Sequence, residues 1–534
     1  MSEYFVLSFI PFILYVVLKT RKSFQMLQQN WYNLDQRYLK WILKNPWKVF
    51  IEIDMFFIVF IVMLAMDMAS AMILFGVFYI VTSFLYYQSN KKEQVKLKLA
   101  FTKRVRRLSV TTMILYLIPL FSICFMFDAN YIAYYYFIMG ALAYLNYFVV
   151  LVANTINLPI EHQVFLYYKR KATKKLSSMS QLDVIGITGS YGKTSSKNIL
   201  SDILNVKYNA FATPKNFNTT YGMIRAINES LDKFNDLFIA EMGAFKQGEI
   251  KELCDFVHPK YGILTRIGTA HLESFGSQSN IQKGKFELIE SLPEDGVGIL
   301  NKDDALQVSY HLKNKCHIIW IGIEQKDVDV YAENIHLSEQ GTSFDVVWKR
   351  ENIKANFQTR LLGKNNVYNI LAAVALGKYL GMTIDQLVTG VKQIHPIEHR
   401  LELKPFGNVT LIEDDYNANP IGAKEAIEVL SMMPGKKIIV TPGMIELGPK
   451  QYELNLEFGK QIGESSIDEV ILIGKEQTRP IQDGLKVVDY NEKHIHILND
   501  VKLAFPLIQK LSGGKKAYAL IENDLPDTFN EKTK

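Results

Sequence analysis

Cysteine is scarce. Cys124, Cys254 and Cys316 stand far apart, with no paired spacing. That excludes a disulfide framework and a cysteine-held metal centre, and it fits a reducing compartment. Internal repeats and low-complexity tracts are absent too, so repeat architectures are not expected. Charge of one sign is not in excess: 60 Lys and Arg stand against 54 Asp and Glu. No nucleic-acid partner is expected from that balance. Walker B and ABC-type signature elements are also missing, which argues against an ATP-driven transporter. The usual phosphate-loop spacing, G-x-x-x-x-G-K-[ST], is lacking as well, because its first glycine would fall on Ile187.

What the chain has in quantity is apolar sequence, 49% of 534 residues, enough for about three cores. Five apolar runs lie near 4–18, 49–68, 69–88, 108–128 and 130–153. Most have the length of a bilayer-spanning helix. The first lacks a basic leader and a small-residue cleavage site, so it reads as a retained span. The connections alternate in charge. Lys19, Arg21, Lys22, Arg37, Lys40, Lys44 and Lys48 follow the first run. Lys91, Lys92, Lys96, Lys98, Lys103, Arg104, Arg106 and Arg107 follow the third, and Lys169, Arg170, Lys171, Lys174 and Lys175 follow the fifth. The turns around Asp67 and Asp128 carry no Lys or Arg. The positive-inside rule then predicts five spans, with the N-terminus outside and the C-terminus in the cytoplasm. The aromatic, basic stretch Trp31 to Trp47 is placed at the cytoplasmic interface.

From about residue 181 the pattern changes. DVIGIT, LFIAEM, YGILTRI, GVGILN and HIIWIG alternate with helical stretches, the rhythm of βαβ units and a mainly parallel sheet. VTLIED, KKIIVTPG, EVILIG and AYALIEN form a second set. The expected organisation is a transmembrane α-helical domain over 1–158 and a basic linker over 159–180. A P-loop-type α/β nucleotide-binding domain over 181–398 and a smaller Rossmann-like α/β domain over 399–534 follow. In VIGITGSYGKTSSKN the turn Gly189-Ser190-Tyr191-Gly192 joins a strand to a helix beginning at Lys193 and Thr194. Backbone N–H groups of such a turn bind phosphate oxygens, the lysine reaches β/γ-phosphates and a threonine hydroxyl can ligate Mg²⁺.

The compressed motif Thr188-Gly189-x-x-Gly192-Lys193-Thr194, followed by Ser195, resembles that of the Mur ligase family of ATP-dependent amide ligases, a form shared with folylpolyglutamate synthases. The resemblance runs over about 181–520. Within the family it is similar to the branch that joins D-alanyl-D-alanine to UDP-N-acetylmuramoyl-tripeptide. It implies ATP and Mg²⁺ as cofactors. ATPKNFNTTYG, with Asn216, Asn218, Thr219 and Thr220, resembles the family's substrate loop. Glu241 ends the strand LFIAEM, and a carboxylate there points into the crevice beyond the sheet. The resemblance gives Glu241, Thr194 and His271 of GTAHLESFGS to metal, together with Lys285 of IQKGKFELIE as a carbamate. Lys283 lies beside it as part of a solvated face. LNKDD and LLGKNNVYNILAAV resemble the adenine and ribose side, with Asn366 and Asn369 at the family's two asparagines. Arg400 and Asp414 resemble residues that meet ATP on domain closure. Tyr416, Asn417, Asn419 and Glu446 fall on substrate-side loops. Three positions depart from the family: Asn365 and Asn455 stand where it has His, and ENDLPD replaces its Lys-Gly-Ser run.

The soluble ligases begin with a UDP-sugar domain, and the five runs take its place here. The expectation is therefore a membrane-anchored ligase that activates a carboxylate as an acyl phosphate and joins it to an amine. The carboxylate belongs to a lipid-linked or nucleotide-linked glycan or peptide acceptor, and the amine to an amino acid or short peptide. Arg104, Arg106 and Arg107 are candidates to meet a lipid pyrophosphate. The rival readings are a folylpolyglutamate-type ligase and a membrane-anchored scaffold with a relic nucleotide site. The five runs and YNANP argue against the first, and the intact phosphate and metal residues against the second.

Overall fold

A computed structural model of the chain describes residues 2–33, 37–66, 70–92, 98–125, 131–269, 272–414, 419–445, 447 and 450–523. Two compact units result, the first made by Met1–Leu166 and the second by Tyr167–Leu525.

The first unit is helical. Its helices include Ser2–Gln29, Phe57–Ala65, Ser70–Lys92, Lys103–Phe125 and Ile132–Tyr144, and Asn146–Ser177 starts within it. The buried side is aromatic: Phe75 meets Tyr79 and Tyr136 edge-on at 4.8 and 4.7 Å. Polar groups are also inside. Lys19 is 0% exposed and pairs with Asp54 at 2.5 Å and Glu52 at 2.8 Å. The outer face is apolar, with Ile10, Val62, Phe84, Ile118 and Phe121 all exposed.

Five full spans were expected. Among the described residues two helices, Ser70–Lys91 and Asn146–Ser177, are long and apolar enough to cross a membrane. The second run folds as Ile53–Phe56 and Phe57–Ala65, about 20 Å of helix in all at 1.5 Å per residue. The fifth run breaks at Leu145. There Asn146 donates to Thr20 and Tyr116 and accepts from Ser23, which fixes the start of the next helix. Basic residues inside Ser2–Gln29 and Lys103–Phe125 shorten their apolar stretches. Lys19, counted above as a connecting charge, is buried because its helix continues to Gln29. The segment 159–180, expected as a linker, lies largely within the helix Asn146–Ser177.

The second unit holds two sheets. The strands of the first are β1 (Asp183–Thr188), β2 (Ala210–Ala212), β3 (Leu237–Glu241), β4 (Tyr261–Leu264), β5 (Val297–Asn301), β6 (His317–Gly322), β7 (Val330–Ser338), β8 (Gly341–Trp348) and β9 (Ile353–Thr359). Their order is β2-β3-β1-β4-β5-β6-β7-β8-β9. Pairing is parallel up to β7, and β7 to β9 form an antiparallel extension. The inner strands are nearly continuous buried runs with few polar residues, as burial on both faces requires. The chain visits β2 and β3 on one side of β1 and then crosses to β4 on the other. That reversal opens a crevice at the carboxyl end of β1.

The second sheet comprises β10 (Glu402–Phe406), β11 (Val409–Asp414), β12 (Lys436–Thr441), β13 (Glu469–Ile473), β14 (Ile495–Leu498) and β15 (Ala517–Glu522), in the order β10-β11-β15-β12-β13-β14. All its pairs are parallel except β10 with β11.

Candidate active site

The crevice begins at the turn after β1. Gly189 admits no side chain: a Cβ there would lie 2.0 Å from Thr265 Oγ1. Gly192 has φ +79°, a left-handed conformation that suits glycine, and it caps the helix Lys193–Leu204. The first turn of that helix leaves N–H groups without intrahelical partners, facing the positive end of its dipole. The N–H groups of Ser190 and Tyr191 donate to Arg266 O at 2.9 and 3.3 Å, which ties the turn to the strand beside it. Lys193 Nζ folds back to Gly189 O at 2.9 Å and Ser190 O at 3.3 Å. Its pKa is lowered, first by desolvation and then by the Arg400 charge, against the attraction of Glu241.

Glu241 lies at the end of β3, buried. Thr194 Oγ1 and Asn218 Nδ2 donate to its Oε1 at 3.1 and 3.2 Å. Lys197, absent from the sequence reading, sits 3.1 Å from Oε2. The signal was there: Lys197 follows Lys193 by one helical turn on the same face. Asn218 packs over Gly243, where a Cβ would come within 2.9 Å of its Cγ. Lys285, on the helix Gln278–Glu290, is 1% exposed, 5.4 Å from the Phe275 ring centre and 3.4 Å from Ala244 O. Burial, with the Lys193 charge adding, lowers its pKa to about 7 despite Glu249 and Glu287.

Tyr191, Gly192 and Ser195 line one cavity together with Asn366, Asn369, Arg400 and Asp414. Arg400 and Asp414, and Asn419 with them, come from the side of the second sheet, so the two sheets' domains share this crevice. Asn369 stands over the turn, with Oδ1 3.4 Å from where a Gly192 Cβ would be.

Other candidates have structural tasks. Thr188 Oγ1 donates to Met242 O at 2.8 Å and ties β1 to the end of β3. Ser190 Oγ donates to Gly268 O at 3.3 Å. Thr219 caps the helix Thr220–Glu229, and Asn419 caps Pro420–Met432. Asn455 holds the loop after β12 through Met444 N and O. In LNKDD, Asp303 accepts from the backbone after β6 and from Tyr368. Asp304 accepts from Ile267 N at 2.8 Å. His271, Tyr416, Asn417 and Glu446 lie outside the described residues.

The donor set suits a hard cation. Thr194 Oγ1 and the Glu241 carboxylate are adjacent oxygens, and Glu241 Oε2, buried, meets the charge of Lys197. Magnesium takes few protein oxygens and completes its shell with water and phosphate. Among the described residues no three His, Cys, Asp or Glu converge as a ready-made cage.

A glycine turn at the switch point of a parallel sheet, closed by a second α/β domain, belongs to the class of two-domain proteins that handle nucleotides at a sheet's carboxyl edge. Comparison narrows the class. Residues 187–377 match the Mur ligase middle domain, and 399–517 match the Mur ligase glutamate ligase domain. The UDP-N-acetylmuramoyl-tripeptide–D-alanyl-D-alanine ligase of Bacillus subtilis is 33% identical over 296 residues, covering 55% of this chain. The alignment spans 63% of that relative's length, less than two thirds. The enzyme of the same name from Buchnera aphidicola subsp. Acyrthosiphon pisum is 30% identical over 64% of this chain and 73% of its own. MurF ligase from Thermotoga maritima, solved in complex with ADP, aligns with a TM-score of 0.59 at 25% identity, over 67% of this chain and 80% of that one. The chain belongs to the Mur ligase family.

Proposed function

We propose that this protein is a membrane-bound, ATP- and Mg²⁺-dependent ligase that joins a carboxylate to an amine on a cell-wall precursor. The observation that carries the reading is the shared crevice, where Arg400 and Asp414 of one domain meet the Gly189–Gly192 turn of the other. In the reaction a substrate carboxylate oxygen attacks the γ-phosphorus of ATP, and the bond to ADP breaks. The amine nitrogen then attacks the acyl carbon, the C–O bond breaks, phosphate leaves with the bonding pair, and the nitrogen gives up a proton. Little covalent chemistry falls to the protein, so positioning and charge neutralisation do the work. Lys193 swings from the turn's carbonyls to the β/γ-phosphates, and Arg400 balances the charge that develops in transfer. Asn366 and Asn369 bind on the nucleoside side, and Asn218 holds the acceptor loop against Glu241. Thr194, Glu241, His271 and a carbamylated Lys285 would hold Mg²⁺, which supplies charge neutralisation at the phosphates. Burial of Lys285 supports the carbamate, because the neutral amine is the form that captures CO₂. Closure of the domains excludes water from the acyl phosphate.

The domain limits follow the same reading: a membrane domain to about 158, a basic connection to 180, the nucleotide domain to 398 and the closing domain beyond. The first unit's apolar exterior and its buried Lys19–Asp54 and Lys19–Glu52 pairs favour a bilayer setting, where buried ionisable groups pair with one another. An acceptor at the membrane, with its carboxylate at headgroup level, suits such an enzyme. Arg107 is not available to a pyrophosphate, since it pairs bidentately with Glu161 at 2.7 and 2.6 Å. Arg104 stacks 3.9 Å from the Tyr32 ring centre. Arg106 remains the candidate of the three.

The test is ligation by the full chain in nanodiscs, with ATP, Mg²⁺ and D-alanyl-D-alanine or single amino acids. The acceptor is muramoyl-tripeptide, offered as its UDP form and as its lipid-linked form. ADP release that requires both acceptor and amine supports the ligase. ATP turnover indifferent to both would sink it. Preference for the UDP form would overturn the lipid-linked acceptor alone.

A further inference from the structure

One carboxylate in the crevice has no part in the chemistry above. Glu425, on the helix Pro420–Met432 of the closing domain, reaches the start of the helix Lys364–Tyr379 in the nucleotide domain. Its Oε1 accepts from the backbone N–H of Asn365, and its Oε2 accepts from Asn365 Nδ2 at 2.6 Å. Both residues line the cavity. The contact is closely built. A Cβ on Gly363 would lie 2.8 Å from the Glu425 carboxyl carbon, so only glycine allows this approach. The carboxylate also sits at a helix N-terminus, where free N–H groups and the dipole favour an anion.

The position along the crevice matters. Asn369 stands over the phosphate turn. Asn365 is one turn earlier on the same helix and lines the same cavity. A nucleotide with its phosphates on the turn and its base along this helix meets Asn365. An asparagine amide is two-faced: turned one way it offers a donor, turned the other an acceptor. Glu425 removes that freedom. An ionised carboxylate only accepts, and its second oxygen already holds the Asn365 backbone. Nδ2 must face Glu425, and Oδ1 is the polar atom left to meet a ligand. This holds whichever way the amide is first drawn.

We propose that Glu425 is a specificity-determining residue that holds Asn365 with its carbonyl towards the base, so that the crevice selects a purine with a 6-amino group over one with a 6-oxo group. The proposal rests on the reading of the crevice as a nucleotide site. A 6-amino group donates to Oδ1, whereas a 6-oxo group sets acceptor against acceptor and leaves both unpaired, which is the costly arrangement.

The test is equilibrium binding of ATP, GTP and inorganic tripolyphosphate to the full chain by calorimetry at pH 8.5. That is above the value of about 7 to which burial raises Glu425, so the carboxylate is ionised. The wild type should bind ATP at least about tenfold more tightly than GTP. Glu425→Gln can donate as well as accept, which frees the Asn365 amide to turn over. The ATP-to-GTP ratio should collapse towards one, while tripolyphosphate affinity stays unchanged. A purely structural clasp would weaken all three ligands alike and would overturn the proposal. So would a Glu425→Gln protein that keeps the full ratio, or a wild type that binds ATP and GTP equally. If Glu425→Gln fails to fold, as judged by thermal melting, Asn365→Ala decides: loss of the ratio supports the proposal and its retention overturns it. Absence of binding by all three ligands would defeat the nucleotide reading itself. Tripolyphosphate binding without base preference would defeat only the inference about Glu425.

Discussion

Lys193 is partly buried and Lys285 is buried, and their environments assign them different work. Lys193 has carbonyl partners at hand, Gly189 O and Ser190 O, which hold an ammonium until a phosphate replaces them. Lys193→Ala should lower ATP-dependent turnover by about 10²-fold or more, since one preorganised charge at developing negative charge is worth that much. Circular dichroism should show an unchanged fold, and near-normal product formation would remove the phosphate-cradle reading. Lys285 has one long contact and an aromatic neighbour, with a pKa lowered to about 7. At neutral pH about half of such side chains carry the free amine, against well under 1% for an ordinary lysine. Lys285→Ala should abolish turnover and be partly restored by added short carboxylates. Absence of rescue, together with a wild type insensitive to removal of dissolved CO₂, would count against the carbamate. At this scale the strand-turn-helix placing Gly189, Gly192 and Lys193 was legible from the motif. Glu425 was not legible, because its role comes from a neighbour remote in sequence, Asn365; Lys197 was marked only by its spacing from Lys193, its partner Glu241 being remote as well.

Elements were legible where burial is two-sided. β1, β3, β4, β5 and β6 read directly as short β-branched runs, and so did β11, β12, β13 and β15. The antiparallel strands β7 to β9 went unread. Their outer ends are partly exposed, so polar residues interrupt the apolar signal. The three-residue β2 is too short to carry a pattern. β14 was missed too, and it brings a partly buried ion cluster into place. Glu469 on β13 accepts from Lys436 at 2.8 Å, His496 at 2.9 Å and His494 at 3.2 Å. Burial alone would raise its pKa, but these donors outweigh it and hold the carboxyl below its ordinary value. A carboxylate depressed in the folded state adds stability above its unfolded pKa of about 4.3, and that stability is lost as pH falls through the folded value. Glu469→Gln should therefore melt at a lower temperature than the wild type above about pH 5. The difference should narrow as pH drops below about 4. A gap of constant size from pH 8 to pH 3.5 would show that the charge contributes nothing.

For the molecule as a whole, the hydropathy pattern located the helical unit and gave five spans, where two helices among the described residues are long and apolar enough to cross a membrane. Runs of apolar letters do not show where a helix breaks, as at Leu145, or where a basic residue turns inward, as Lys19 does. The charge alternation is a property of the sequence between the apolar runs. Lys91, Lys98 and Lys103 flank one connection, and Lys169 to Lys175 flank another, whereas the stretch around Asp128 has no basic residue. Moving several lysines across a bilayer costs far more than moving none, which supports the proposed orientation with the basic connections on the cytoplasmic side. ATP is available on that side too, which ties the orientation to the proposed reaction. A reporter active only outside the cytoplasm, fused after residue 128, should be active, and the same reporter fused after residue 175 should be silent. A cytoplasm-dependent reporter should give the reverse pattern. If the fusion after 175 reports the outer side, the phosphate turn would face away from ATP. The ligase reading, and not only the span count, would then fail.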